Sequence, residues 1–217
     1  MAGNDTLKKL AIFDVDGTLH MTEVMSIAAY GIVAPKLNLQ TPPIEQLFAS
    51  YGCTSEYILN MLGVVGTEEY KSEVLDLIEK EEVRQMREVG RCYDGVLTAL
   101  NRLRENDIVL ALCSMCSPYY LDGFIDCFGL SDIIEYRRDE SCGNDKRLLL
   151  KSLLAESCPD IAVMVGDRKF DLEAARYNDI PFIGCAYGYA PAEILESDFI
   201  VDSGEKIYDA VLSALRK

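Results

Sequence analysis

Histidine occurs once in these 217 residues, as His20, and basic side chains are scarce: 21 Lys and Arg stand against 36 Asp and Glu. A lone histidine rules out a His-pair metal site. The formal charge of −15 argues against nucleic acid or an anionic membrane as partner, because both repel an acidic surface. No apolar run approaches the ~20 residues of a membrane span. Met1 to Lys9 holds no apolar signal region, so a cytoplasmic protein is expected. Internal repeats and low-complexity segments are missing too. The eight cysteines are scattered, and only Cys113 and Cys116 stand as C-x-x-C. With no second Cys or His pair to complete a zinc site, buried thiols in a reducing compartment are expected.

What is present reads as an ordinary globular chain, 49% hydrophobic and 26% charged. Against about 150 residues per domain, the length allows one domain with an insertion, or two small ones. Short apolar runs bounded by turn residues predict strands at 9–13, 108–113, 161–165 and 181–185, with weaker ones at 133–136 and 199–201. Helical patterns lie between them. Val96, Leu100 and Leu103 share one face and Asn106 is the stop; Ser117-Pro118 opens another helix that Gly129 closes; Asn144 or Asp145 caps a third, running to about Ser157. Strand and helix alternating in this way predict an α/β fold, a Rossmann-like parallel sheet with helices on both faces.

Residues 20–90 break the rhythm. Helix starts appear at Thr41-Pro-Pro43, Thr54-Ser55 and Gly66-Thr67, and Val74, Leu77 and Ile78 give the last of these helices an apolar stripe. No strand signal interrupts them. The expected organisation is an α/β core of 1–19 and 91–217, with 20–90 inserted as an all-α cap.

Open parallel sheets bind ligands outside the carboxyl ends of their strands. The polar residues there are Asp14, Asp16 and Thr18 after the first strand, Ser114 after the second, then Asp167 and Asp171. Carboxylates gathered at one rim repel each other unless a cation neutralises them. A hard, oxygen-preferring ion such as Mg²⁺ answers that need. The alternatives for Asp14-Val-Asp-Gly17 are a solvated turn or a calcium loop; the EF-hand pattern fails, with glycine at the fourth place and no glutamate at the twelfth.

Phe13-Asp-Val-Asp-Gly-Thr-Leu19 resembles the first signature of the haloacid dehalogenase (HAD) superfamily in its phosphatase form, and Val165-Gly-Asp-Arg-Lys-Phe-Asp171 resembles the fourth. Ser114 stands where the second signature places Ser or Thr. The resemblance implies a Mg²⁺-dependent phosphatase acting on a small-molecule phosphate ester. It makes Asp14 the nucleophile that forms an aspartyl phosphate and Asp16 the general acid and base. Mg²⁺ would be held by Asp14, the Asp16 backbone carbonyl and Asp167, with Asp171 behind them orienting metal waters. Ser114, with backbone N–H groups after Asp14, would hold phosphoryl oxygens. Gly17 turns the chain away from the strand, and Thr18 bonds a carboxylate or caps a helix.

The third signature is a lysine. Lys146 takes that place, although Arg147 replaces the proline that often follows, with Arg147 or Lys151 as the fallback. Arg168 and Lys169 add positive potential or form a solvated helix start. Tyr187-Gly-Tyr189 resembles phosphoglycolate phosphatase-like members, which sets a phosphoglycolate-like or sugar phosphate as the expected substrate. Tyr51-Gly-Cys-Thr-Ser55 lies where a cap specificity loop faces the site, so Tyr51, Gly52 and Ser55 are its specificity residues. The loop lacks the Gly-Pro-Pro often found there. Asp16 argues against dehalogenation, and neither Lys36 nor Lys71 stands in a phosphonatase motif. A β-phosphoglucomutase-like phosphotransferase keeps every core motif and remains the alternative, ahead of a non-catalytic HAD-like protein that binds phosphorylated ligands. His20 lines the site or serves the cap hinge.

Overall fold

Six short strands, all parallel, form one sheet in the order β3-β2-β1-β4-β5-β6 in a computed structural model that describes residues 7–216. The reading of Met1–Lys9 as lacking an export signal falls largely outside those residues. The strands are β1 (Lys9–Phe13), β2 (Ile108–Cys113), β3 (Ile134–Arg138), β4 (Ile161–Gly166), β5 (Phe182–Cys185) and β6 (Phe199–Val201). β1 lies between β2 and β4, and Phe13 pairs with Leu112 on one side and Val165 on the other. The chain therefore builds outward in both directions from β1, and the crevice at that reversal opens beside Asp14.

Side chains alternate across the sheet. Ala11, Phe13, Leu110, Leu112, Val163 and Val165 face a core made with α5 (Val96–Glu105), α6 (Pro118–Cys127) and α9 (Ile207–Ala214). Leu10, Ile12, Ala111, Cys113 and Met164 face the other, made with α7 (Lys146–Ser157) and α8 (Lys169–Tyr177). Burial on both faces explains why the central strands read as continuous apolar runs. β3 is the exception: it is an edge strand whose alternate residues reach solvent, so it continues through Arg137 and Arg138 beyond the expected 133–136.

Between β1 and α5 the chain makes four helices: α1 (Glu23–Lys36), α2 (Ile44–Ser50), α3 (Ser55–Met61) and α4 (Glu68–Val89). They share a separate apolar cluster that includes Tyr30, Val33, Leu47, Leu59, Val74 and Ile78. Leu77 does not join the stripe; at 40% exposed it faces outward, because Val74 and Ile78 define the inner face at i, i+4. The chain enters and leaves this bundle side by side. The Met21 N–H donates to the Arg91 carbonyl at 2.9 Å and the Tyr93 N–H to the Leu19 carbonyl at 3.1 Å, with His20 bridged to Cys92 between them. Across the bundle, α4 lies on α6, where Gly123 lets Val83 approach so closely that a Cβ would meet it at 2.8 Å. No helix among the described residues is long and apolar enough to cross a membrane.

Candidate active site

Asp14 leaves the end of β1 fully buried, its N–H bonded to the Val165 carbonyl at 2.9 Å. Lys146, in the first turn of α7, donates to Asp14 Oδ1 at 2.5 Å and lies 2.5 Å from Asp171 Oδ1 as an ion pair. Asp14 Oδ2 is buried with no hydrogen-bond partner. Asp167 follows β4, and Asp171 in the first turn of α8 accepts from the Arg168 N–H at 3.0 Å. One carboxylate oxygen from each of Asp14, Asp167 and Asp171 lies within 4.8 Å of the others.

Glycine permits this crowding at two positions. Gly17 has φ +77°, and a Cβ there would meet Asp167 Oδ2 at 2.4 Å; a Cβ on Gly188 would meet Asp167 Cβ at 2.3 Å. Tyr189 donates its N–H to Asp167 Oδ2 at 2.8 Å, and Thr18 its hydroxyl to Oδ1 at 3.3 Å. Thr18 thus bonds a carboxylate and does not cap a helix. The Tyr187 hydroxyl donates to the Thr18 carbonyl at 2.8 Å, so the loop after β5 clasps the turn after β1.

The electrostatics are short of positive charge. Burial, then the Asp14 and Asp171 carboxyls, pushes Asp167 well above the usual carboxylate range. Burial alone would lower Lys146, but Asp14 and Asp171 raise it and keep it an ammonium. Burial pushes Asp14 up while Lys146 pulls it down. A single lysine against three carboxyls, one with a bare buried oxygen, leaves a deficit that a hard divalent cation fits; the ligand atoms are all oxygen.

Asp16 sits in different surroundings. Its Oδ1 accepts from the Thr22 hydroxyl at 2.6 Å and the Tyr120 hydroxyl at 2.7 Å. Burial raises its carboxyl, and these two donors pull it back. His20 is fully buried, with Nδ1 3.2 Å from the Tyr120 hydroxyl and its ring against Phe124 and Phe128. Burial pushes its imidazole down to about 3, so it stays neutral. His20 therefore stands behind Asp16 and at the bundle crossing at once. Sequence reasoning missed Thr22 and Tyr120 because each carries an ordinary signal, a helix start and a helical aromatic.

The remaining expectations can be placed. Ser114 is fully buried at the end of β2. Arg147 is exposed and pairs with Asp145, and Lys151 is exposed, which leaves Lys146 as the lysine at Asp14. Arg168 reaches from Glu193 at 3.0 Å to the Tyr51 carbonyl at 2.7 Å and ties the sheet to the helical bundle. Asp171 belongs to the carboxylate cluster itself. Tyr51, Gly52 and Ser55 line a cavity of about 60 Å³ together with Asp16; neither Lys36 nor Lys71 lines it. The Tyr51 hydroxyl is bonded to Ser26, and the Ser55 hydroxyl donates to both Glu140 oxygens at 2.6 and 2.7 Å. All eight cysteines are free, and Cys113 is buried at its strand end.

A sheet reversal lined by buried carboxyls and one lysine defines an α/β enzyme with its site at the strand ends. Residues 11–185 match the haloacid dehalogenase-like hydrolases, and the chain belongs to that family. A phosphoglycolate phosphatase of Agrobacterium fabrum is 25% identical over 96% of this chain and 94% of its own. Among solved structures, CbbY from Rhodobacter sphaeroides in complex with phosphate superposes with a TM-score of 0.81 at 19% identity, over 93% of this chain and 96% of its own. A predicted phosphoglycolate phosphatase from Haemophilus somnus gives 0.81 at 18%, over 95% and 99%.

Proposed function

We propose that this HAD-family phosphatase hydrolyses a small phosphate monoester through an aspartyl phosphate on Asp14, with Mg²⁺ as cofactor and residues 20–90 acting as a cap over a core of 1–19 and 91–217. The observation that carries this reading is the separation of the two aspartates. Asp14 is held by Lys146 inside the carboxylate cluster, while Asp16 turns toward the cavity and meets only neutral hydroxyl donors.

The division of labour follows. An Asp14 oxygen attacks phosphorus and the ester P–O bond breaks, as Asp16 gives its proton to the leaving alkoxide. Burial raises the Asp16 carboxyl, which favours the protonated form this step needs. Asp16 then takes a proton from water, which attacks phosphorus, breaks the bond to Asp14 and releases inorganic phosphate. Lys146 and Ser114 hold phosphoryl oxygens, and Asp171 keeps Lys146 in place. The Asp14 and Asp167 carboxylates and the Asp16 carbonyl would hold Mg²⁺, which would supply further positive charge against the phosphoryl group. The Agrobacterium relative, a phosphoglycolate phosphatase, supports a small phosphate monoester as the class of substrate.

Purified protein should hydrolyse p-nitrophenyl phosphate with Mg²⁺ and lose that activity in EDTA. Full activity after exhaustive chelation would overturn the metal assignment of Asp14 and Asp167.

A further inference from the structure

The cavity beneath the helical bundle carries charge of one sign. Asp16 stands on its sheet side, Glu79 and Glu82 of α4 stand on its bundle side, and no lysine, arginine or histidine lines it. Neither glutamate forms an ion pair among the described residues. Burial is the first cause that pushes both carboxyls up; Asp16 and Glu79 add to it for Glu82, and the Ser117 hydroxyl opposes it for Glu79, where Glu140 and Asp76 add. Of the nearby cations, Arg168 is engaged with Glu193 and Lys146 with Asp14 and Asp171, while the exposed Lys80 pairs with Asp76 and also draws the Glu79 carboxyl down.

A second feature points the same way. Tyr30, Tyr51 and Tyr120 also line the cavity, and Tyr30 is only 2% exposed, with no hydrogen-bond partner for its hydroxyl among the described residues. Aromatic rings beside carboxylates bind ammonium groups, the rings through their electron-rich faces and the carboxylates by charge. Carboxylates withdrawn from water without a cation are unfavourable, and a cationic ligand relieves them. Size narrows the ligand further. About 60 Å³ of space is room for about four to six waters at 10–15 Å³ each, which suits a chain of two or three carbons.

Resting on the phosphatase reading above, we propose that the preferred substrate is the phosphate monoester of a small amino alcohol, with its ammonium group between Glu79, Glu82 and the tyrosines and its ester oxygen toward Asp16. The P–O ester bond breaks, the Asp16 proton goes to the alcohol oxygen, and the ammonium keeps its own protons throughout. A carboxylate-bearing leaving group such as glycolate would meet Glu79 and Glu82 and no cation, a like-charge clash that selects against it.

Three esters of equal length separate the possibilities: 2-aminoethyl phosphate, 2-hydroxyethyl phosphate and 2-phosphoglycolate, with p-nitrophenyl phosphate as the control for phosphatase activity. Expected kcat/KM is highest for the amine, about ten- to hundredfold above the hydroxyl ester, as for one charge-assisted contact, and lowest for phosphoglycolate. Glu79→Gln and Glu82→Gln, which keep shape and remove charge, should each lower the amine-to-hydroxyl ratio. A flat or reversed order, or hydrolysis of the control but of none of the three, overturns the ammonium pocket and leaves the phosphatase reading standing. Failure on the control as well would bring down the phosphatase reading first, and the pocket with it.

Discussion

Asp14 and Asp16 are two residues apart, yet the turn after β1, with Gly17 in the left-handed region, sends them to different partners. Nothing in the Asp14-Val-Asp16 spacing says which donors each will meet. Tyr120 is the informative case. Its hydroxyl gives a hydrogen bond to Asp16 and receives the attention of a neutral His20, so it orients the carboxyl on the side where a leaving group would sit. Tyr120→Phe should lower kcat/KM for an alkyl phosphate about tenfold, the effect of one hydrogen bond of ~1.5 kcal/mol. p-Nitrophenyl phosphate, whose leaving group needs little protonation, should lose much less. Equal losses on both esters would show that Tyr120 shapes the pocket without acting on Asp16.

At the level of elements, the helical bundle is attached by side-chain latches as well as by its crossing strands. Ser55 opens α3 and gives its hydroxyl to Glu140, in the turn after β3, while Arg168 at the start of α8 holds the Tyr51 carbonyl. In the proposed reading the bundle closes over the site as a cap, which excludes water and commits the substrate. Ser55→Ala should raise KM several-fold for every ester alike, about the effect of a ~1 kcal/mol hydrogen bond, because the Ser55 hydroxyl, although it lines the cavity, is committed to Glu140 and serves closure. A shift in the order of preferred esters would instead make Ser55 a selector of substrate. Element positions were largely legible in the sequence: β1, β2, β4 and β5 are apolar on both faces, and Thr54, Thr67, Ser117 and Asp145 cap helices where expected. The start of α1 was not, because the Thr22 hydroxyl is committed to Asp16 and caps nothing. Two members of the carboxylate cluster, Asp14 and Asp167, were legible for the same reason as the strands, since they follow β1 and β4; Asp171 stands in the first turn of α8. Glu79 and Glu82 were hidden among ten other charged residues on α4, and only the docking of that helix over α6 turns them inward.

Taken whole, the molecule presents a difficulty that its chemistry must solve: an acidic protein with a net charge of −15 must receive an anionic phosphate. Positive charge is concentrated where it is needed, with Lys146 buried against Asp14 and an oxygen cluster fit for a divalent cation beside it. Everything else in the account depends on Asp14 being the atom donor to phosphorus and Asp16 being the proton carrier. Acid-quenched intact-protein mass spectrometry with an activated ester tests that division directly. Asp16→Asn keeps the nucleophile and loses the base that activates water, so it should accumulate the added mass of one phosphoryl group; Asp14→Asn should never gain it. Labelling of Asp14→Asn at the wild-type level would place the nucleophile elsewhere and contradict the mechanism.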